Sequence, residues 1–136
     1  MKNKSKPVQR SLTHLKKNGW QVAIVEKYLK PPGAAFGRRI DVWGFGDLLA
    51  CRVAIRGHKP AIALVQCCRD ADMAEHRAKI LGQPMEHWSQ EERDESKEIF
   101  EKFKVWKASG GRVFLQGWGF KGRRGEKKWT LREEVL

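Results

Sequence analysis

Two apolar runs separated by a single turn limit this chain's fold more than any other feature. They are Asp47-Leu48-Leu49-Ala50-Cys51-Arg52-Val53-Ala54-Ile55 and Ala61-Ile62-Ala63-Leu64-Val65-Gln66-Cys67-Cys68. Neither alternates strictly between apolar and polar residues, and a strand without alternation needs cover on both faces of its sheet. Arg56-Gly57-His58-Lys59-Pro60 reads as a turn, so the two strands are expected to pair as a hairpin. Their cover must come from helices on either side.

The flanking sequence provides such helices. Pro7 to Asn18 is expected to be helical: Pro7 suits a first helical position, Val8, Leu12 and Leu15 recur at i, i+4, i+7, and Gly19 stops it. Trp20 to Leu29 reads as a strand broken by Pro31-Pro32-Gly33, after which a glycine-rich loop carrying Arg38-Arg39 runs to Gly46. A short helix over Asp72 to Leu81 follows the second apolar run. Ser89-Gln90-Glu91-Glu92 is a capping box, and the helix it opens shows Ile99, Phe103 and Trp106 on one stripe before Gly110-Gly111. Arg112 to Trp118 reads as a further core strand, with Trp129 to Val135 pairing back onto it. The expected fold class is α/β: a single domain over 1–136, a central mixed β-sheet flanked by helices, in the order α-β-β-β-α-(α)-β-β. Residues 1–6 are expected to form a flexible basic tail.

Charge narrows the function. The 136 residues carry 28 Lys+Arg and 16 Asp+Glu, a formal net charge of +12. Between Asp70 and Glu101 lie ten acids and four bases, which leaves 24 bases against 6 acids in the rest of the chain. Lys2 to Lys17 contains no acid, and Lys121-Gly122-Arg123-Arg124-Gly125-Glu126-Lys127-Lys128 is a second basic cluster beside Trp118, Phe120 and Trp129. Such a surface points to a polyanion, nucleic acid first among them. Most of these acids fall on the solvated face of the Ser89 helix, which is expected to point away from that partner. No helix pairs a basic face with a strongly apolar one, so no membrane partner is expected. No apolar run suits a membrane span or a signal peptide, and a cytoplasmic location is expected. Three cysteines without a C-x-x-C give neither a disulfide framework nor a zinc site. His14, His58, His76 and His87 lie on separate elements and are assigned no metal.

Two polar residues stand where burial is expected. Asp47 opens one apolar strand and Gln66 nearly closes the next, so hairpin pairing brings them to one end of the sheet. The Asp47 carboxylate, the Gln66 amide oxygen and the Cys67 backbone carbonyl are oxygen ligands of the kind Mg2+ accepts. The competing readings are that Asp47 caps the Gly44–Gly46 turn, that Gln66 is a satisfied buried amide, and that Asp41 serves a turn or pairs with Arg38 or Arg39. Trp118 and Trp129 suit core packing, and beside a basic turn they also suit base stacking.

These residues resemble the PD-(D/E)XK nuclease superfamily (restriction-endonuclease-like fold), specifically its small phage-type members. Gly46-Asp47-Leu48-Leu49-Ala50 is similar to the first motif with Gly for Pro. Ala63-Leu64-Val65-Gln66-Cys67-Cys68 is similar to the second, with Gln in the acidic slot and Cys68 where Lys is expected. Arg39-Ile40-Asp41-Val42-Trp43-Gly44-Phe45-Gly46-Asp47 resembles the stretch around the acid in phage-encoded members. The resemblance, from the first helix through Trp118, implies a Mg2+-dependent DNA endonuclease, with Mn2+ able to substitute, acting in phage or mobile-element recombination and repair. It implies Asp47, Gln66, Cys67 and Asp41 at the metal, with Glu26 as another source of a second carboxylate. Arg77 or Lys79 would supply the cation missing at Cys68, with Lys27 as a further source. Arg38, Arg39, Lys121, Arg123, Arg124, Lys127 and Lys128 would grip DNA. It also implies the cytoplasm of a bacterial host, and members of this size often act as homodimers. Two alternatives stand beside it: a catalytically inactive DNA-binding accessory protein of the same fold, supported by Cys68, and an RNA- or protein-binding adaptor using the basic aromatic C-terminal hairpin.

Overall fold

The computed structural model describes residues 6–54 and 57–136. Residues 1–5 of the expected tail, together with Ile55 and Arg56 of the expected strand and turn, lie outside them. Lys6 already belongs to the first helix, α1 (Lys6–Lys17). Five strands then form one mixed sheet in the order β1-β4-β5-β6-β7. They are β1 (Gln21–Ile24), β4 (Leu48–Arg52), β5 (Ala61–Arg69), β6 (Arg112–Lys121) and β7 (Lys128–Val135). Two short strands, β2 (Lys27–Leu29) and β3 (Arg38–Ile40), pair separately as a two-stranded arm.

The two apolar runs are the hairpin at the sheet's centre: β4 and β5 run antiparallel, with Leu48 opposite Val65 and Arg52 opposite Ala61. β6 runs parallel to β5, Gln66 facing Leu115 and Cys67 facing Gln116. A parallel neighbour requires a crossover. A 3-10 turn (Asp70–Asp72), α2 (Met73–Ile80) and α3 (Gln90–Ala108) supply it. The capping box at Ser89 is formed in both directions, Ser89 Oγ accepting from the Glu92 N–H and Glu92 accepting from the Ser89 N–H.

Because strand side chains alternate between faces, the hairpin feeds two cores. Leu48, Ala50, Ala63, Val65 and Cys67 meet Val8 and Leu15 of α1. Leu64 and Val113 meet Ile80, Ile99 and Phe103 from α2 and α3. The result is a helix–sheet–helix sandwich, and Asp47 and Gln66 have the parity of the α2/α3 face.

The stretch Trp20–Leu29 is not one strand. The N–H groups of Val25 and Glu26 both donate to the Asp47 carbonyl, at 3.1 and 3.2 Å. That shared acceptor ends the β1–β4 ladder and sends the chain out into the arm. β3 lies inside the segment expected to be loop. All three of its residues are exposed, so no burial pattern marks it in the sequence. β4 stops at Arg52 and β6 continues to Lys121, three residues beyond its expected end.

Candidate active site

Asp47 sits one residue before β4, its backbone N–H still held by the Val65 carbonyl at 2.9 Å. Its carboxylate reaches across the hairpin. Oδ2 accepts from the Cys67 N–H at 2.8 Å and from Gln66 Nε2 at 3.0 Å. Both residues are buried, each 5% exposed. The juxtaposition expected from the hairpin is therefore present. The Gly44–Gly46 turn does not use the Asp47 side chain. It is capped instead by Asp41, whose Oδ1 accepts from the Gly44 N–H at 3.0 Å. Trp43 and Gly44 both have positive φ, 57° and 85°. The Phe45 N–H closes this tight turn on the Val42 carbonyl at 3.1 Å. A Cβ on Gly44 would lie 2.6 Å from the Ile99 side chain, so glycine is required there on two counts.

Two more carboxylates belong to this end of the sheet. Glu26 leads into β2 and Asp41 follows β3, so the roots of the arm bring both within electrostatic reach of Asp47. Burial, with the charges of Glu26 and Asp41 adding to it, pushes the Asp47 carboxyl up to about 7. The Cys67 N–H and the Arg39 charge oppose that rise without cancelling it. Asp41 is raised by its own burial, against the hydrogen bond from Gly44 and the charges of Lys79 and His76. Burial holds the His76 imidazole below its usual range.

The basic residues divide. Arg77 is committed elsewhere: its guanidinium forms a two-pronged pair with Glu134 on β7, with Nε to Oε2 at 2.6 Å and Nη2 to Oε1. Lys79 faces Asp41 electrostatically and pairs with Glu95 of α3 at 3.7 Å. Of the two stand-ins expected for a lysine at Cys68, Lys79 is the one beside the carboxylates. Lys27 lies on the exposed arm. Cys68 is buried against Met73 and Leu115. That burial, with Asp72 and Asp47 nearby, pushes its thiol up to about 12, so it is neutral near pH 7. The Cys67 thiol is likewise raised by burial.

Among the described residues, no three His, Cys, Asp or Glu side chains converge closely enough to hold a metal ion. Any ion here would depend on Asp47 together with amide and carbonyl oxygens. One observation suits that donor set: Gln66 Oε1 is buried with no hydrogen-bond partner among the described residues. An orphaned buried acceptor of this kind calls for a water or an ion as its partner. The Cys67 N–H and the Val65 carbonyl point to the same strand edge, which directs the Cys67 carbonyl past the end of β4 toward this place.

The basic surface is less uniform than the sequence implies. Arg38, Arg39 and Asp41 line a cleft of about 370 Å³ to which α3 contributes Glu95, Glu98 and Lys102. The acidic helix thus borders this end of the sheet instead of facing away from it. Arg39 lies 3.6 Å from Glu26. Lys121 pairs with Asp70 at 2.7 Å. Arg123, Arg124, Lys127 and Lys128 are exposed at the β6–β7 turn. The sequence reading missed Arg10 and His14 of α1, which close on Trp129 and Trp118. Their i, i+4 spacing on the first helix, away from the Val8–Leu12–Leu15 stripe, was the available signal.

Comparison with family models, curated proteins and solved structures found no match. Among the described residues no helix is long and apolar enough to cross a membrane.

Proposed function

We propose that the chain is a metal-dependent nuclease of restriction-endonuclease-like fold that hydrolyses DNA phosphodiesters. The observation that carries this reading is the meeting of the Asp47 carboxylate, the Gln66 amide and the Cys67 backbone at the open end of the central hairpin. A divalent ion, Mg2+ or Mn2+, would supply Lewis-acid activation of water and charge neutralisation at the phosphate. Asp47, Gln66 Oε1 and the Cys67 carbonyl would hold it, with Asp41 and Glu26 contributing negative charge from the arm's roots. Lys79 would provide the cation that the neutral Cys68 thiol lacks. Arg123, Arg124, Lys127 and Lys128 would bind backbone phosphates, giving salt-sensitive affinity with little sequence preference. Structure-selective cleavage in phage or mobile-element recombination or repair is the role that the sequence resemblance favours.

Cys68 favours a second reading, an inactive relative that binds DNA as an accessory protein. Cleavage assays with Mg2+ and Mn2+ on linear duplex, single-stranded and branched DNA separate the two. The nuclease reading expects metal-dependent cleavage that falls about 100-fold or more in both Asp47→Ala and Asp47→Asn. Cleavage that survives both substitutions, or none from the wild type on any substrate, refutes it.

A further inference from the structure

On the α1 face of the sheet an open groove of about 660 Å³ runs between α1 and the β6–β7 hairpin. Lys6, Arg10 and His14 form one wall and Trp118 and Trp129 the other, and among the described residues no acidic side chain lines it. Trp118 is anchored, its indole N–H donating to Ser11 Oγ of α1 at 2.9 Å, with His14 edge-on to it at 6.1 Å. Trp129 is held differently. It sits opposite Phe120 in the β6–β7 ladder, with ring centroids 5.2 Å apart, and its other neighbour is the Arg10 guanidinium, 3.5 Å from the ring centroid. Trp129 remains 47% exposed and Phe120 53% exposed, so this aromatic pair is not closed into a core.

A half-exposed indole with a cation resting on its face, in a groove with no acids among the described residues, matches the two parts of an unpaired nucleotide. The base has a π face to stack, and the phosphate has a charge to neutralise. A base inside a duplex offers no free face. We infer that this groove stacks an unpaired base of single-stranded DNA on Trp129, the base replacing the Arg10 guanidinium on the ring face and Arg10, with Lys6, taking the adjoining phosphates. Trp118 pairs with Arg69 across β5–β6, two residues beyond the Cys67–Gln116 pair. Strand rise and spacing put its backbone about 8 Å from that of Cys67, with its side chain on the α1 face, opposite the face that carries Asp47 and Gln66. A single strand held in the groove would reach Asp47 only around the end of the sheet, and in that arrangement the groove would read single-stranded or branched substrates. This last step rests on the nuclease reading, whereas the stacking does not.

The test measures binding of fluorescent ten-residue oligo-dT and of a blunt ten-base-pair duplex, in EDTA so that no turnover enters. Trp129→Ala is expected to weaken oligo-dT binding by about 5- to 100-fold, the range for one stacked base. Duplex binding should change less than twofold, and Trp129→Phe should restore most of the oligo-dT affinity. Equal losses for both probes, or unchanged oligo-dT binding, overturn the proposal. If Trp129→Ala does not fold, Trp129→Leu keeps apolar bulk without a π face, and oligo-dT affinity retained in it also overturns the proposal. A wild type that stacks oligo-dT yet cuts nothing refutes the nuclease reading alone. One that cuts DNA while Trp129→Ala binds oligo-dT normally refutes the groove alone.

Discussion

Replacing Asp47 with Asn should make the protein more stable, and only above a certain pH. The folded state holds this carboxyl near pH 7, against an ordinary value of 3.8, chiefly because burial disfavours its charge. An acid whose value is raised by folding binds its proton more tightly in the native state. Relative to low pH, stability is therefore lost as pH rises from about 4 through about 7, and is level beyond that. The full difference corresponds to about 4 kcal/mol at 1.36 kcal/mol per unit, an upper limit because the native state relaxes around the charge. Asn avoids that loss. Both hydrogen bonds go to the single oxygen Oδ2, so an Asn carbonyl can accept from the same Cys67 and Gln66 donors. Urea denaturation of both proteins in EDTA should show similar stability at pH 4 and an advantage of about 2–4 kcal/mol for Asp47→Asn at pH 8.5. Adding 10 mM Mg2+ at pH 8.5 should then narrow the gap. For a site with a Kd on the order of 1 mM the wild type gains about 1.4 kcal/mol and the variant nothing. A variant less stable at pH 8.5, or a gap that does not change with pH, would show that Asp47 ionises as an ordinary carboxylate and refute the reasoning.

Three further outcomes follow from the same geometry. Lys79→Ala is expected to slow cleavage about tenfold or more with little loss of stability, whereas Arg77→Ala should leave the cleavage rate within twofold and lower stability by about 1 kcal/mol, because it strands Glu134 on β7; rates and denaturation midpoints measured together tell the two apart. Gly44→Ala should cost about 2–3 kcal/mol in urea unfolding, since the new methyl meets Ile99 at a backbone angle that L-residues avoid. In binding isotherms at several salt concentrations, each of Arg123→Ala and Arg124→Ala should reduce the slope of log affinity against log salt by about one, while Lys121→Ala, already paired with Asp70, should change it less.

The sequence by itself determined the central hairpin, because two apolar runs with no polar face can rest only between two layers of helix. It also determined where the helices lie: the stripe at Ile99, Phe103 and Trp106 and the box at Ser89–Glu92 are local patterns, and local patterns survive in one dimension. The meeting of Asp47 and Gln66 was legible for the same reason, since antiparallel pairing across one turn leaves few choices of register. What lies around Asp47 was decided by tertiary structure alone. Glu26 and Asp41 arrive at the site only because Val25 and Glu26 share the Asp47 carbonyl and the chain leaves the sheet to form an arm. Those exposed three-residue strands carry no periodicity to read. Arg77 and Lys79, two residues apart on one short helix, could not be ranked until β7 claimed the first and Asp41 and Glu95 received the second. Charge shows the same division. Its sum and its uneven spread along the chain were there to be counted, but Glu95 and Glu98 border the site because Ile99, on the same turns of α3, must be buried against the sheet. Packing an apolar stripe fixes the rotation of a helix, and the charges follow wherever that rotation carries them.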